Sequence, residues 1–209
     1  MDERTAVATR RGDTYGGLSR VQRATDRRER IIASAVHLFG TRDYDDITVA
    51  EVCAGAKVSK RYFYEHFADR TDLVTVMHRE QNMWLLGGVV GAAPEHPADL
   101  SELLRPCLRT LVSMLRENPE RAQVIYINAP RMEIQRRGVL REDSEFLARL
   151  LRRAAIKPKN QLRYDRMMLA LVAGLSEVII DWLTRGMTDD PEELAEHLTA
   201  LFVAVLSAA

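Results

Sequence analysis

Apolar residues recur along most of this chain at intervals of three and four, the period of helices that bury one face. Ile31, Ile32, Ala35, Leu38 and Phe39 predict a first helix that starts near Thr25 or Asp26, where Glu29 is placed to reciprocate an Asp26 cap, and that stops at Gly40. A polar loop from Thr41 to Asp46 comes next. Thr48 and Glu51 then stand at the spacing of a capping box, and Val49, Val52, Cys53 and Ala56 supply the buried face of a short helix. Lys57 falls where the chain must turn. Ser59 is placed to cap another short helix, which buries Val58, Phe63 and Phe67 and exposes Ser59, Lys60, Arg61 and Tyr62 on its first turn. Two short helices joined by a tight turn are the layout of a helix-turn-helix, whose second helix meets base edges in the major groove with its N-terminal residues.

The pattern continues without a strand-like segment, an internal repeat or a low-complexity tract. A fourth helix begins near Asp69 and runs to Gly87-Gly88 or slightly past, long enough to act as a lever between the reading head and the rest of the chain. The stretch 91–97, GAAPEHP, breaks it. Leu100, Leu103, Leu104, Cys107, Leu108, Leu111 and Leu115 form a complete stripe for a fifth helix, with Pro106 expected to kink or loosen it. Pro119 and Pro130 bracket a short sixth helix holding Ile125 and Tyr126. A seventh, roughly Arg131 to Ala155, turns Ile134, Phe146, Leu147, Leu150 and Leu151 inward, and Pro158 with its Lys neighbours closes it. The eighth, about Leu162 to Arg185, is apolar around nearly its whole circumference, which implies burial on more than one side. Asp190, Pro191 and Glu193 are strong start signals for a ninth.

About nine helices, all-α, with 209 residues of which 46% are hydrophobic, allow one small and one larger helical domain. The expected division is a disordered basic arm over residues 1–19, a DNA-binding domain over 20–70, and a larger helical domain over 71–209. The 30 basic and 30 acidic residues cancel, so affinity for nucleic acid has to come from local clusters: Arg20, Arg23, Arg27, Arg28 and Arg30 before or within the first helix, and Lys57, Lys60, Arg61 and Arg70 around the third. The arginines of the arm are suited to the minor groove. Cys53 and Cys107 lie far apart on apolar stripes, as buried thiols of a reducing cytoplasm do. The N-terminal arginines have no apolar run behind them, so no secretory signal is expected. Nor is a membrane span: Met167 to Ile180 is short and interrupted by Glu177. His37, His66, His78, His96 and His197 lack metal-ligand spacing, and no phosphate loop or nucleophile elbow is present. An enzyme is not expected, and no cofactor is implied.

Thr48 to Phe67 reads T-x-x-x-V-C-x-x-A-x-V-S-x-x-x-F-Y-x-H-F, followed by x-x-R-x-x-L in Ala68 to Leu73. This signature, spanning Ile31 to Leu73, resembles the DNA-binding module of the TetR family of bacterial transcriptional regulators. The resemblance implies that Tyr64 and His66 flank the DNA backbone, that Arg70 grips a phosphate, and that Thr48 contacts phosphate. Ser59, Lys60, Arg61, Tyr62 and Arg27 complete the expected DNA-binding set. Two positions depart from the family pattern. Lys57 replaces the usual Gly at a left-handed turn, and Tyr62 replaces a small Thr or Ser.

By the same resemblance the last two helices form a four-helix homodimer interface, for which Leu175, Val178, Ile179, Trp182, Leu198, Leu201, Phe202 and Val205 are candidates. A dimer suits the reading of a palindromic operator in double-stranded DNA. A small apolar or aromatic ligand is implied within the larger domain. Met83, Trp84, Leu108, Met114, Tyr126, Phe146, Met168 and Val172 are candidates for its wall, with ordinary core packing open for each. The function implied is a ligand-released repressor. The alternatives are a regulator of the same fold without a small-molecule inducer, and an all-helical ligand-sequestering protein or enzyme built on this scaffold.

Overall fold

The computed structural model describes residues 14–15, 18–128, 133–154 and 160–207. Within them nine α-helices carry the chain: α1 (Arg20–Thr41), α2 (Val49–Ala56), α3 (Lys60–Tyr64), α4 (Arg70–Gly91), α5 (Leu100–Glu117), α6 (Pro119–Gln123), α7 (Glu133–Leu151), α8 (Gln161–Thr184) and α9 (Pro191–Ser207). The all-helical expectation holds, with one small addition before α1. There β1 (Thr14–Tyr15) pairs antiparallel with β2 (Leu18–Ser19), Thr14 opposite Ser19 and Tyr15 opposite Leu18. The rest of the expected arm, and Pro130, Arg131, Ala155 and Pro158 at the ends of the seventh helix, lie outside the described residues, as do the side chains of Arg20 and Ile134.

Helix α1 begins earlier than its capping signals predict. Nothing from Arg20 to Thr25 breaks a helix, so the chain is already helical when it reaches Asp26, which pairs with Arg30 at 3.1 Å instead of capping. Gly40 does not end α1 in a left-handed turn; α1 continues to Thr41, and among the described residues only Gly186 is a glycine with positive φ. Gly40 is needed for close approach. A β-carbon there would lie 2.5 Å from that of Glu120, at the start of α6. Pro106 leaves α5 continuous from Leu100 to Glu117. Asp99 caps that helix by accepting from the Glu102 N–H at 2.8 Å, and Asp190 caps α9 by accepting from Glu192 and Glu193.

Two cores result. Ile31, Ala35, Phe39, Ile47, Val52, Phe63, Phe67, Leu73, Val74 and Met77 fill the first, together with Val124 from the single π-helical turn Val124–Asn128 that follows α6. The second begins at Leu85 and packs the far half of α4 with α5, α7, α8 and α9. Helix α4 therefore belongs to both cores.

A second connection runs through α6 and the π turn. His37 meets Glu120 at 2.9 Å. Asn128, fully buried, accepts from the Tyr44 N–H at 3.2 Å and donates to the carbonyls of Arg42, at 3.2 Å, and Phe39. Carbonyls at a helix C-terminus lack intrahelical partners, so Asn128 satisfies the end of α1 from across the domain junction.

Helix α8 matches the expected bounds to within a residue, but it differs from the expectation that no stretch is long and apolar enough to span a membrane. Its 24 residues are long and apolar enough to cross a membrane by length and composition alone, because the helix extends beyond both ends of Met167–Ile180.

Candidate nucleic-acid interface and ligand cavity

The reading head is built from reciprocal local bonds. Thr48 Oγ1 accepts from the Glu51 N–H at 3.3 Å, and Glu51 Oε2 accepts from the Thr48 N–H at 2.9 Å and from its hydroxyl at 2.8 Å. Arg42 donates to the other Glu51 oxygen at 2.8 Å, and Arg42 with Thr48 holds that carboxyl down at about 2. Arg30 donates to the carbonyl of Ala56 at the C-terminus of α2, and Ser34 to that of Val52. Lys57 then takes φ 54° and ψ 46°, the left-handed turn expected of that position.

This frame presents α3. Phe63 and Phe67 are buried beneath it, while Lys60, Arg61, Tyr62 and Tyr64 face solvent. The Arg61 side chain is 87% exposed, its nearest acid being Glu65 at 3.6 Å. Tyr62 does not stand alone, because the Arg27 guanidinium lies 4.3 Å above its ring and joins α1 to the exposed face of α3. Arg28 is turned toward Glu80 and the Phe67 ring. Ser59 occupies the N-cap position in extended conformation but makes no side-chain capping bond. His66 is half-buried beside Phe67, its Nε2 enclosed.

Arg70 departs from a phosphate clamp. It donates to the carbonyls of Ile47 at 2.7 Å and Tyr44 at 3.3 Å, and its guanidinium lies 4.2 Å from the Tyr44 ring centre. The side chain is a strut between the start of α4 and the loop before α2. The x-x-R-x-x-L spacing cannot distinguish inward from outward, since that depends on where the loop carbonyls lie.

In the larger domain a cavity of about 80 Å³ lies among α4, α5, α7, α8 and α9. Leu108, Tyr126, Phe146 and Val172 line it as expected. Four other candidates do not. Met83 is 64% exposed on an outer cleft, Trp84 packs beneath Arg121, Met114 lies against Gly88, and Met168 is buried in the core elsewhere on α8. The wall also holds polar residues not anticipated from the sequence: Asn82, Asp143 and Ser176. Asn82 donates to Asp143 at 2.9 Å. Burial, reinforced by Glu142, pushes the Asp143 carboxyl up to about 6 against the lowering effect of that bond. Burial and Asp143 together push the Tyr126 phenol up as well. Asp143 had a legible signal, because it stands three, four and seven residues before Phe146, Leu147 and Leu150, on the buried stripe of α7.

The expected dimer face divides. Ile179, Trp182, Leu198 and Phe202 are buried in the protomer's own core, where the inward sides of α8 and α9 meet the rest of the domain, and Phe202 also lines the cavity. Leu175 and Val205 are half-buried, and Val178 and Leu201 are exposed at 37% and 45%. Leu162 and Leu169 on α8 are also exposed apolar residues, Leu169 being part of the all-round apolar pattern of that helix though not among the interface candidates.

A helix-turn-helix with an outward basic and aromatic first turn, fused to a helical domain with an internal cavity, defines the class of DNA-binding transcriptional regulators. Residues 31–77 match the family described as bacterial regulatory proteins, tetR family, so the chain carries that family's DNA-binding domain. No curated protein matches the sequence. Solved structures extend the likeness to the whole fold. The fatty acid degradation regulator FadR from Bacillus halodurans is 16% identical, with a TM-score of 0.68 over 85% of this chain and 94% of that one. A tetR-family transcriptional regulator from Streptomyces coelicolor is 16% identical, TM-score 0.68, over 88% and 82%. FadR from Bacillus subtilis in complex with stearoyl-CoA is 16% identical, TM-score 0.62, over 85% and 98%. At this identity the likeness is one of fold, and the fold is that of a TetR-family transcriptional regulator.

Proposed function

We propose that the protein is a homodimeric cytoplasmic repressor that reads a palindromic operator with two copies of α3 and is released by a small ligand in the larger domain. The observation that carries this reading is the dual membership of α4. Leu73, Val74 and Met77 are core of the reading head, while Asn82, Leu86 and Val89, on the same rigid helix, are wall of the cavity. A ligand that widens the cavity therefore moves one end of an element whose other end positions α3. The π turn gives a parallel route, since Tyr126 lines the cavity and Asn128 holds the end of α1.

Lys60, Arg61, Tyr62 and Tyr64 are the residues assigned to base edges and adjacent phosphates, with Arg27 steadying Tyr62. Thr48, Ser59 and His66 are secondary contacts. Arg70 positions the head through its carbonyl bonds. The partner surface is the exposed apolar side of α8 and α9, centred on Val178 and Leu201 and extended by Leu169. A second copy is the occupant because one five-residue helix spans few base pairs, whereas two on a dyad read half-sites roughly 34 Å apart. Weakening operator binding a hundredfold requires about 2.7 kcal/mol of differential ligand affinity between the two states, an ordinary coupling.

One observation favours the reading without an inducer. The inner cavity is far smaller than the roughly 300 Å³ or more of common ligand pockets. Against it, a cleft of 470 Å³ adjoins and shares Asn82, Leu86, Asp143 and Phe146, so the interior has a route of entry and room to open. The test is selection of bound duplexes from a random pool at two salt concentrations. A two-fold symmetric site enriched at both is the expected result. Binding without sequence preference, or none, overturns operator reading.

A further inference from the structure

The chemistry of the cavity narrows the ligand beyond "small and apolar". Its wall is hydrocarbon and aromatic over most of its extent, with Leu108, Leu111, Phe146, Val172 and Phe202 contributing. Into that wall is set one carboxylate, Asp143, on the boundary shared with the outer cleft. Asn82 supplies a single amide hydrogen bond, and among the described residues no Lys, Arg or His forms an ion pair with Asp143. A carboxylate withdrawn from water and held by one neutral donor is costly unless a cation joins it. Three aromatic rings line the same cavity, those of Tyr126, Phe146 and Phe202, and an aromatic face favours a cation placed over it. An anionic head would meet Asp143 within the cavity, and Glu142 and Glu145 beside Arg79 and Arg149 on the outer cleft.

We propose that the effector is a hydrophobic organic cation, an amine with an apolar or aromatic body, whose charged nitrogen pairs with Asp143 while its body enters the cavity behind Tyr126 and Phe146. This rests on the reading of that cavity as the effector site and specifies its occupant. The stearoyl-CoA complex of the Bacillus subtilis regulator shows the same fold accepting a ligand with a heavily anionic head. The difference between the two would lie in side chains such as Asp143 and not in the architecture.

Three soluble probes with one body and different heads decide the matter: phenylbutylamine, phenylbutanol and phenylbutyrate, each titrated calorimetrically into the full-length protein. The amine is expected to bind at least tenfold tighter than the alcohol and the acid. In Asp143→Asn the three should fall within about threefold of one another. Equal or tighter binding of the alcohol or the acid to the wild-type protein overturns the proposal, as does failure of all three to bind at millimolar concentration. The same holds if the amine preference survives in Asp143→Asn. The wild-type headgroup series stands on its own if that variant does not fold. A parallel measurement of operator affinity separates the two claims. Amine binding at Asp143 that leaves operator affinity unchanged keeps the site and defeats ligand release, whereas release by the acid alone keeps the regulator and defeats the cation.

Discussion

The two domains differ in how far each is complete within one chain. In the reading head the polar groups that shape the backbone find partners in the protomer: the Thr48–Glu51 capping box, Arg42 on Glu51, Arg30 on the Ala56 carbonyl, Arg70 on two loop carbonyls and Asn128 on the end of α1. Its apolar groups are enclosed apart from Val21 at the start of α1, and the large exposed side chains of α3 are those with a polar tip or a charge. The larger domain leaves Leu169, Val178 and Leu201 in solvent and Asp143 half-buried on a single amide bond. On the proposed function the contrast has a reason: a surface that reads DNA is best rigid before contact, whereas a domain that takes a second copy and a ligand keeps unmet interactions for them to satisfy.

Five changes break or sharpen that contrast. The largest effect is expected from Phe63→Ala, which removes a fully buried ring from the complete domain and should lower stability by about 3–5 kcal/mol in urea titration. A loss below about 1 kcal/mol would mean that the head is packed less tightly than the burial of that ring implies.

Asp143→Asn should act in the opposite direction. The folded protein keeps the proton on Asp143 up to about pH 6, and an unfolded chain releases it near 3.8, so stability falls as pH rises through that window. Removing the charge should restore up to about 3 kcal/mol above pH 6 and almost nothing below pH 4, at about 1.4 kcal/mol per unit. Melting curves at both pH values check this, and a stabilisation independent of pH would argue that the carboxylate is not the cause.

Replacing Val178 and Leu201 together by Asp should convert a dimer to monomers in sedimentation and weaken operator binding about a hundredfold, near 2.7 kcal/mol. Unchanged mass at micromolar concentration would place the interface elsewhere. Arg61→Ala should cost about 1–3 kcal/mol on the selected operator and relax one base position. An equal loss on all sequences would reassign Arg61 to phosphate. The smallest effect belongs to Lys57→Gly, which relieves a left-handed residue and should stabilise the head by about 1 kcal/mol or less, offset in part by the unfolded-state freedom of glycine. Destabilisation by that change would reveal a role for the Lys57 side chain.

Much of the reading head is legible in the sequence because its determinants are local. The capping box, the left-handed Lys57 and the buried Phe63 and Phe67 depend on spacings of a few residues, and each appears where the pattern puts it. The start of α1 lies ahead of its capping signal because a cap marks a helix end only where the preceding residues leave the helix, and none here does. Gly40 has the look of a terminator because its true constraint, Glu120, lies eighty residues away along the chain.

Periodicity and capping thus decide which segments are helices and which side of each is apolar, since those depend on the 3.6-residue turn and on backbone groups close in sequence. They do not decide which of two apolar sides meets the protomer's own core. Ile179, Trp182, Leu198 and Phe202 turn inward while Val178 and Leu201 remain outside, although all six share the same two helices. The inward strut of Arg70, the tie from Asn128 to residues 84 to 89 positions earlier and the carboxylate in the cavity arise the same way, from packing that brings distant segments together. Those contacts are energetically real but have no period, so only the folded chain assigns them.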